Sequence, residues 1–385
     1  MTRKSLAVVA GVGLVLAAVS GQDAHGQAAA AGSAPGPSVP TFQVDPAWPK
    51  LPNDWVMGHP SSVAVDRHDH VWVIHRPRTV PADRAAQAAP PVLEFDADGT
   101  FVRGWGGPAG GYEWPETEHA ISVDASDHVW IGGSNPISNS PSPSSDDMLL
   151  KFTNTGRFVL QVGRRNQSSG NRDTDNLKRP ADIFVHAPTN EVFVADGYGN
   201  RRVIVLDAET GAFKRMWGAF GRAPVDDPPA QPAPPATARA ADGEGSPQFG
   251  IVHGLKVSKD GLVYVADRGN SRIQVFSLDG KYVTQVFINR NAPSSATAAG
   301  IAFSPDREQQ FMYVADYGNS RIVVVDRKRL EVVDQFGEKG PEPGNFRSPH
   351  HIATDSKGNL YTAEVVPGAR VQRFVFKGMT ASDSR

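Results

Sequence analysis

The feature that most constrains this chain is an internal repeat. Leu262-Val-Tyr-Val-Ala-Asp-Arg-Gly-Asn-Ser-Arg-Ile-Gln-Val-Phe276 and Phe311-Met-Tyr-Val-Ala-Asp-Tyr-Gly-Asn-Ser-Arg-Ile-Val-Val-Val325 agree almost letter for letter, and Val192 to Leu206 is a third copy. Each copy is an apolar, β-branched and aromatic run, a Gly-Asn turn able to supply positive φ, and a second alternating run, which together make a hairpin. A further strand precedes each hairpin and another follows it. Four antiparallel strands in a unit of about 40 to 45 residues form a propeller blade. Looser copies at Val63 to Trp105, Ile121 to Val162 and Ile352 to Phe376 give six blades, A to F, beginning near His59, Glu118, Arg179, Phe249, Ala298 and Phe346. The expected fold is therefore all-β, a six-bladed β-propeller over residues 42–378 with a tail at 379–385. Blade F has only three strands of its own, so Phe42 to Asp45 is expected to close the ring as its outer strand, which removes free edges.

Ahead of the repeats, Met1 to Lys4 and the apolar run Leu6 to Val19 read as a cleavable signal peptide over 1–26. An Ala/Gly/Pro/Ser stretch, 27–41, reads as a flexible linker. The chain is thus expected to be secreted or periplasmic and not membrane-embedded. It has no cysteine, so a metal would need histidine, carboxylate or carbonyl ligands. A net charge of −2 gives no electrostatic footprint for nucleic acid, leaving a small-molecule or peptide partner.

The recurrent Asp-x-Gly-Asn-x-Arg turns (Asp196/Arg202, Asp267/Arg272, Asp316/Arg321) are shared by every good repeat and read as structural. Function is expected where blades differ. The start of the innermost strand carries Ser61, His119, Ala181, His253, Ala299 and His350 in blades A to F, so histidine occupies alternate blades only. Alternate blades of a six-fold ring stand about 120° apart, so the three imidazoles should converge on the axis. Three imidazoles with an open fourth position are the ligand set of a catalytic zinc. The end of the second strand returns to the same mouth with Arg76, Ser134, Gly197 beside Tyr198, Arg268, Tyr317 and Val365. These make a cationic, hydrogen-bonding rim suited to a substrate carboxylate; Tyr317 by itself reads as a solvated loop side chain. The long connections at 77–90, 135–147 and 222–248 fall on the same face, as binding loops do.

Several segments resemble peptidyl-α-hydroxyglycine α-amidating lyase, itself an NHL-type six-bladed propeller. They are Ile74-His75-Arg76, Glu118-His119, Ala195-Asp196-Gly197-Tyr198-Gly199-Asn200-Arg201, the His253 entry with Ala266-Asp267-Arg268, and Ser348-Pro349-His350. The resemblance runs from Val63 to Phe376 and implies zinc on His119, His253 and His350, a catalytic Tyr198, and active-site Arg76 and Arg268. It implies cleavage of a carbinolamide to an amide and glyoxylate. One departure stands out: the family follows its third histidine with an aspartate that helps hold a structural calcium, whereas this chain has His351, which weakens the case for that calcium. His351 is expected to be either an extra zinc ligand or a group supporting the ligands. The alternatives are a non-catalytic NHL propeller that binds a peptide or glycan, and a lactonase-like hydrolase, whose calcium is usually held by carboxylates and amides.

Overall fold

The computed structural model describes residues 38–137, 142–226, 243–294 and 296–381. Six four-stranded antiparallel sheets are arranged as six blades. Their innermost strands are His59–Val65, Glu118–Val123, Asp182–His186, Val252–Val257, Ile301–Phe303 and Pro349–Thr354. These touch their neighbours in the closed order A to F and back to A. The chain is a six-bladed β-propeller. No helix among the described residues is long and apolar enough to cross a membrane.

The amino-terminal strand closes the ring, pairing antiparallel with Arg370–Ala381 as the outer strand of blade F. It is longer than the sequence suggests. It runs Ser38–Asp45, so residues 38–41 of the expected linker are strand, and its partner continues to Ala381, three residues into the expected tail. The ladder from Ser38↔Ala381 to Asp45↔Arg373 lets backbone groups pair that composition alone would leave to solvent. The signal segment and most of the 222–248 connection lie outside the described residues.

The core is six separate apolar clusters, each filling the wedge between two neighbouring blades. Phe193, Trp217, Phe249 and Phe276 lie between C and D, Trp130 lies between B and C, and Trp72, Trp114 and Phe152 lie between A and B. Both faces of every blade are thereby covered, which is why the hairpins are apolar almost throughout. Each fully buried large side chain contributes about 1.5–3 kcal/mol.

The repeated turn carboxylates do more than close hairpins. Asp196–Arg202 (2.8 Å) and Asp267–Arg272 (2.9 Å) are fully buried ion pairs, while Asp316–Arg321 is looser at 3.9 Å. Blade F uses Glu364 with Arg370 at the same place (2.7 Å). The second function of these carboxylates is to hold the loop entering the innermost strand. Asp267 accepts from the Gly250 amide (2.7 Å) and Glu364 from Arg347 (2.7 Å); in blade B, which has glycine at the turn position, Asp146 of the 135–147 connection takes this part, accepting from Glu116 (3.0 Å) and Thr117 (3.1 Å). Each of these amides lies two or three residues ahead of a histidine of the alternating column, so the structural turns fix the chain immediately upstream of the candidate site.

Candidate functional site

At the entry to each histidine blade the first two strands slip register by one residue. The pairing jumps from Glu118 to Ala120, from Val252 to Gly254 and from Pro349 to His351. His119, His253 and His350 are the unpaired extra residues of β-bulges, a device that bends a strand and re-aims one side chain. All three are buried, with ring centroids 4.5–5.5 Å apart.

The blades without histidine hold these rings. Nδ1 of His119 donates to the Ala181 carbonyl (2.9 Å), Nδ1 of His253 to Ala299 (3.1 Å), and Nδ1 of His350 to Ser61 (2.7 Å). Ala181, Ala299 and Ser61 are the remaining members of the same aligned column. The ring thus alternates imidazole and carbonyl, each histidine braced by the next blade. A carbonyl can only accept, so the proton sits on Nδ1 and the lone pair on Nε2. Burial, reinforced by mutual repulsion and nearby arginines, holds all three rings well below the usual histidine range, hence neutral at pH 7.

Three neutral Nε2 atoms therefore face one another. His253 Nε2 lies 3.0 Å from His350 Nε2. Two lone pairs this close, with no proton to share, repel unless a cation lies among them. Together with the braces on Nδ1, this is the donor set and outer support that a zinc ion requires, and the residues fit that metal.

Tyr198 completes the cluster. Its hydroxyl is 3.0 Å from His119 Nε2 and 3.0 Å from His253 Nε2, and it accepts from Arg268 Nη1 at 3.2 Å. Gly197 makes this possible, because a Cβ there would meet the Val252 carbonyl oxygen at 2.0 Å and its nitrogen at 2.4 Å. Only glycine lets the Asp-Gly-Tyr loop lie against the blade D entry and pass its tyrosine between two histidines.

A cavity of about 370 Å³ opens over the cluster, lined among others by Arg76, Arg78, Tyr198, Arg268, Tyr317 and His350. Arg76 is buried, and its Nε donates to the Glu118 carbonyl (2.9 Å). Arg268 stacks over both Tyr198 (5.2 Å) and Tyr317 (5.5 Å). Tyr317 is therefore a wall of the cavity rather than the free loop side chain expected from sequence. Near Arg76 and Arg78, burial pushes the Glu118 carboxyl up to about 7 while Trp114 hydrogen-bonds it (2.9 Å).

The structure thus brings His119, His253, His350, Tyr198, Arg76 and Arg268 to one mouth with His351 beside them, and adds two residues that sequence reasoning missed, Arg78 and Arg179. Arg78 lines the cavity and reaches Thr117 Oγ1 (2.8 Å). Arg179 lies 5.8 Å from the Tyr198 ring centroid, on a backbone of φ +60° that non-glycine residues seldom adopt. His351 is buried one step below, with one ring nitrogen in a mutual 4.8 Å group with those of the other three histidines. The only available signal for Arg179 was its place at the blade C entry, and nothing in the sequence marks its φ.

Fold and repeat define a six-bladed β-propeller built of similar blades. The NHL repeat model matches residues 249–276, within blade D. The chain is homologous to NHL repeat-containing protein 3 of Homo sapiens, 26% identical over 87% of this chain and 84% of that protein. It is also homologous to amidating enzymes. A probable peptidyl-alpha-hydroxyglycine alpha-amidating lyase of Caenorhabditis elegans is 22% identical over 65% of this chain and 61% of that protein. Peptidyl-glycine alpha-amidating monooxygenase A of Xenopus laevis is 27% identical over 64% of this chain and 23% of that protein. The chain thus spans less than two thirds of the length of either amidating protein. Among solved structures, one described as a streptogramin B lyase shares the fold, with a TM-score of 0.52 at 13% identity, covering 87% of this chain and 98% of that one.

Proposed function

We propose that this protein is an exported, zinc-dependent lyase that cleaves a carbinolamide, R-CO-NH-CH(OH)-COO⁻, to an amide and glyoxylate. The observation that carries the reading is the Tyr198 hydroxyl at 3.0 Å from two of three converging, neutral imidazole nitrogens, under a cavity lined by arginines. Homology to amidating enzymes supports the same chemistry.

His119, His253 and His350 would hold the zinc through Nε2, and when bound it would supply Lewis-acid polarisation of the substrate hydroxyl. Arg76 and Arg78 face the cavity and would clamp the substrate carboxylate, presenting the reacting carbon to Tyr198. Tyr198 would take the hydroxyl proton as the C–N bond breaks and the aldehyde C=O forms. The same proton then passes to the departing amide nitrogen, so R-CO-NH₂ and OHC-COO⁻ balance the substrate. Arg268, donating to the Tyr198 oxygen, would stabilise the phenolate form that takes this proton, a negative charge lost as the proton arrives and regained as it moves on to the amide nitrogen.

The test is glyoxylate release from an α-hydroxyglycine peptide by zinc-loaded and chelated protein. Turnover that chelation abolishes and zinc restores is expected; no turnover by the loaded protein refutes the lyase reading. Human NHL repeat-containing protein 3, whose name states no activity, aligns over more of this chain than the amidating relatives do, and a non-catalytic propeller that binds a peptide or glycan is the second reading. That reading calls for stoichiometric peptide or glycan binding that survives chelation. Export is checked separately, by the amino-terminal sequence of protein recovered outside the cytoplasm.

A further inference from the structure

One residue beyond the aligned histidine column, the blade entries carry a second tier: Ser62, Ala120, Asp182, Gly254, Gly300 and His351. Blades C and F stand opposite one another in the ring, yet His351 Nδ1 approaches Asp182 Oδ1 at 3.9 Å across the axis. Two members of the tier are glycines, each set tight against the backbone of the next blade. A Cβ on Gly300 would meet the His350 carbonyl oxygen at 2.8 Å, and one on Gly254 the Ala299 oxygen at 2.4 Å.

The Asp182 carboxylate is buried and engaged through both oxygens. Oδ2 accepts from the Leu255 amide (2.9 Å) and from the Lys256 ammonium (2.9 Å), and Oδ1 from the Ile183 amide (2.9 Å). Lys256 reaches it from the neighbouring blade D and also lines the cavity of about 550 Å³ at the opposite mouth of the channel. A calcium ion at this level would need six to eight oxygen ligands. It would instead meet an imidazole, an ammonium, and a single carboxylate with three of its roughly four lone-pair positions already taken. Among the described residues, the candidate metal group on the axis contains histidines and no carboxylate. The residues present do not fit the calcium that the family resemblance implies.

We infer that the channel is held by an internal cation: the Lys256 ammonium, anchored on Asp182, takes the structural place that a bound calcium would fill, and His351 closes the tier from the opposite blade. The protein then keeps its fold without calcium, and blades C, D and F are tied together by covalently supplied groups alone. This inference does not depend on the lyase reading, since zinc and turnover concern the tier above.

The experiment combines elemental analysis with thermal melting of the full zinc-loaded protein. Calcium well below one per chain, and a Tm unmoved by millimolar calcium, are expected. Stoichiometric calcium, or a Tm that climbs several degrees when calcium is added, overturns the inference. Lys256→Met leaves the Asp182 charge buried without its partner and should melt about 5–10 °C lower, whereas Lys256→Arg should retain most of the wild-type Tm. A Lys256→Met protein that melts with the wild type also overturns it. The double variant Lys256→Met/His351→Asp removes the ammonium and restores an acidic ligand, and its Tm should become calcium-dependent.

Discussion

Replacing Tyr198 by phenylalanine removes one oxygen from the centre of the site and leaves the ring. The ring's edge-to-face contacts with His119 (4.9 Å between centroids) and His253 (5.5 Å) remain, as does Arg268 stacked over it at 5.2 Å. What is lost are the contacts of one hydroxyl with two imidazoles and one guanidinium. At about 1 kcal/mol net for each hydrogen bond, and with the hydroxyl able to donate to only one imidazole, the cost to folding is roughly 1–3 kcal/mol. A positioned proton-transfer group is worth about 10²–10⁴ in rate, or roughly 3–5 kcal/mol of barrier. The two effects separate cleanly. Tyr198→Phe should contain as much zinc as the wild type, melt a few degrees lower, and release glyoxylate at least about a hundredfold more slowly. The assay set is zinc content, Tm, and kcat and KM for an α-hydroxyglycine peptide. A variant with full metal and wild-type kcat refutes the role given to Tyr198; one that loses its zinc shows that the tyrosine serves as a ligand.

Removal of zinc should lower Tm, because an ion that binds only the folded state stabilises it by about 4 kcal/mol at a thousandfold excess over Kd; a Tm indifferent to chelation and zinc return refutes the metal centre. Arg272→Met strands the fully buried Asp267 carboxylate and should cost about 3–5 kcal/mol in chemical denaturation, with loosened zinc binding because Asp267 also fastens the loop ahead of His253. His75 supplies an acid-sensitive element. Its Nδ1 accepts from the Gly58 amide (3.1 Å) and its Nε2 donates to the Pro90 carbonyl (2.9 Å), and burial brings it from 6.5 down to about 4. The unfolded ring takes up its proton first as pH falls. The stability this neutral ring provides is complete above pH 6.5 and is lost between 6.5 and about 4, up to roughly 3 kcal/mol. Denaturation midpoints measured across that window should slope less in His75→Gln, and an unchanged slope refutes the assignment.

The repeat was legible because a blade is a local unit: hairpin turns, apolar alternation and buried Asp–Arg pairs recur at fixed spacing and need no distant partner to be recognised. Comparing blades at equivalent positions then exposed His119, His253 and His350, since a departure from the repeat stands out only against the repeat. The same comparison placed Arg76, Arg268 and Tyr198 at one mouth. Tyr317 was misjudged because its neighbours Arg268 and His350 come from blades D and F, and a loop residue seen alone carries no record of what packs against it. Arg179 and Arg78 escaped for the same reason.

Sequence by itself determined the blade count, the ring closure and which side chains are placed at the channel mouth, all of which follow from short-range patterning repeated six times. Only the tertiary structure decided how those side chains are used. The bulges at His119, His253 and His350, the carbonyls of Ala181, Ala299 and Ser61 that orient the rings, and the passage of Tyr198 past Gly197 each join residues 46 or more positions apart or depend on a one-residue slip in register. The pair His350 and His351 shows the limit most clearly: simple strand alternation sends consecutive side chains to opposite faces, and only the bulge between them turns both toward the axis.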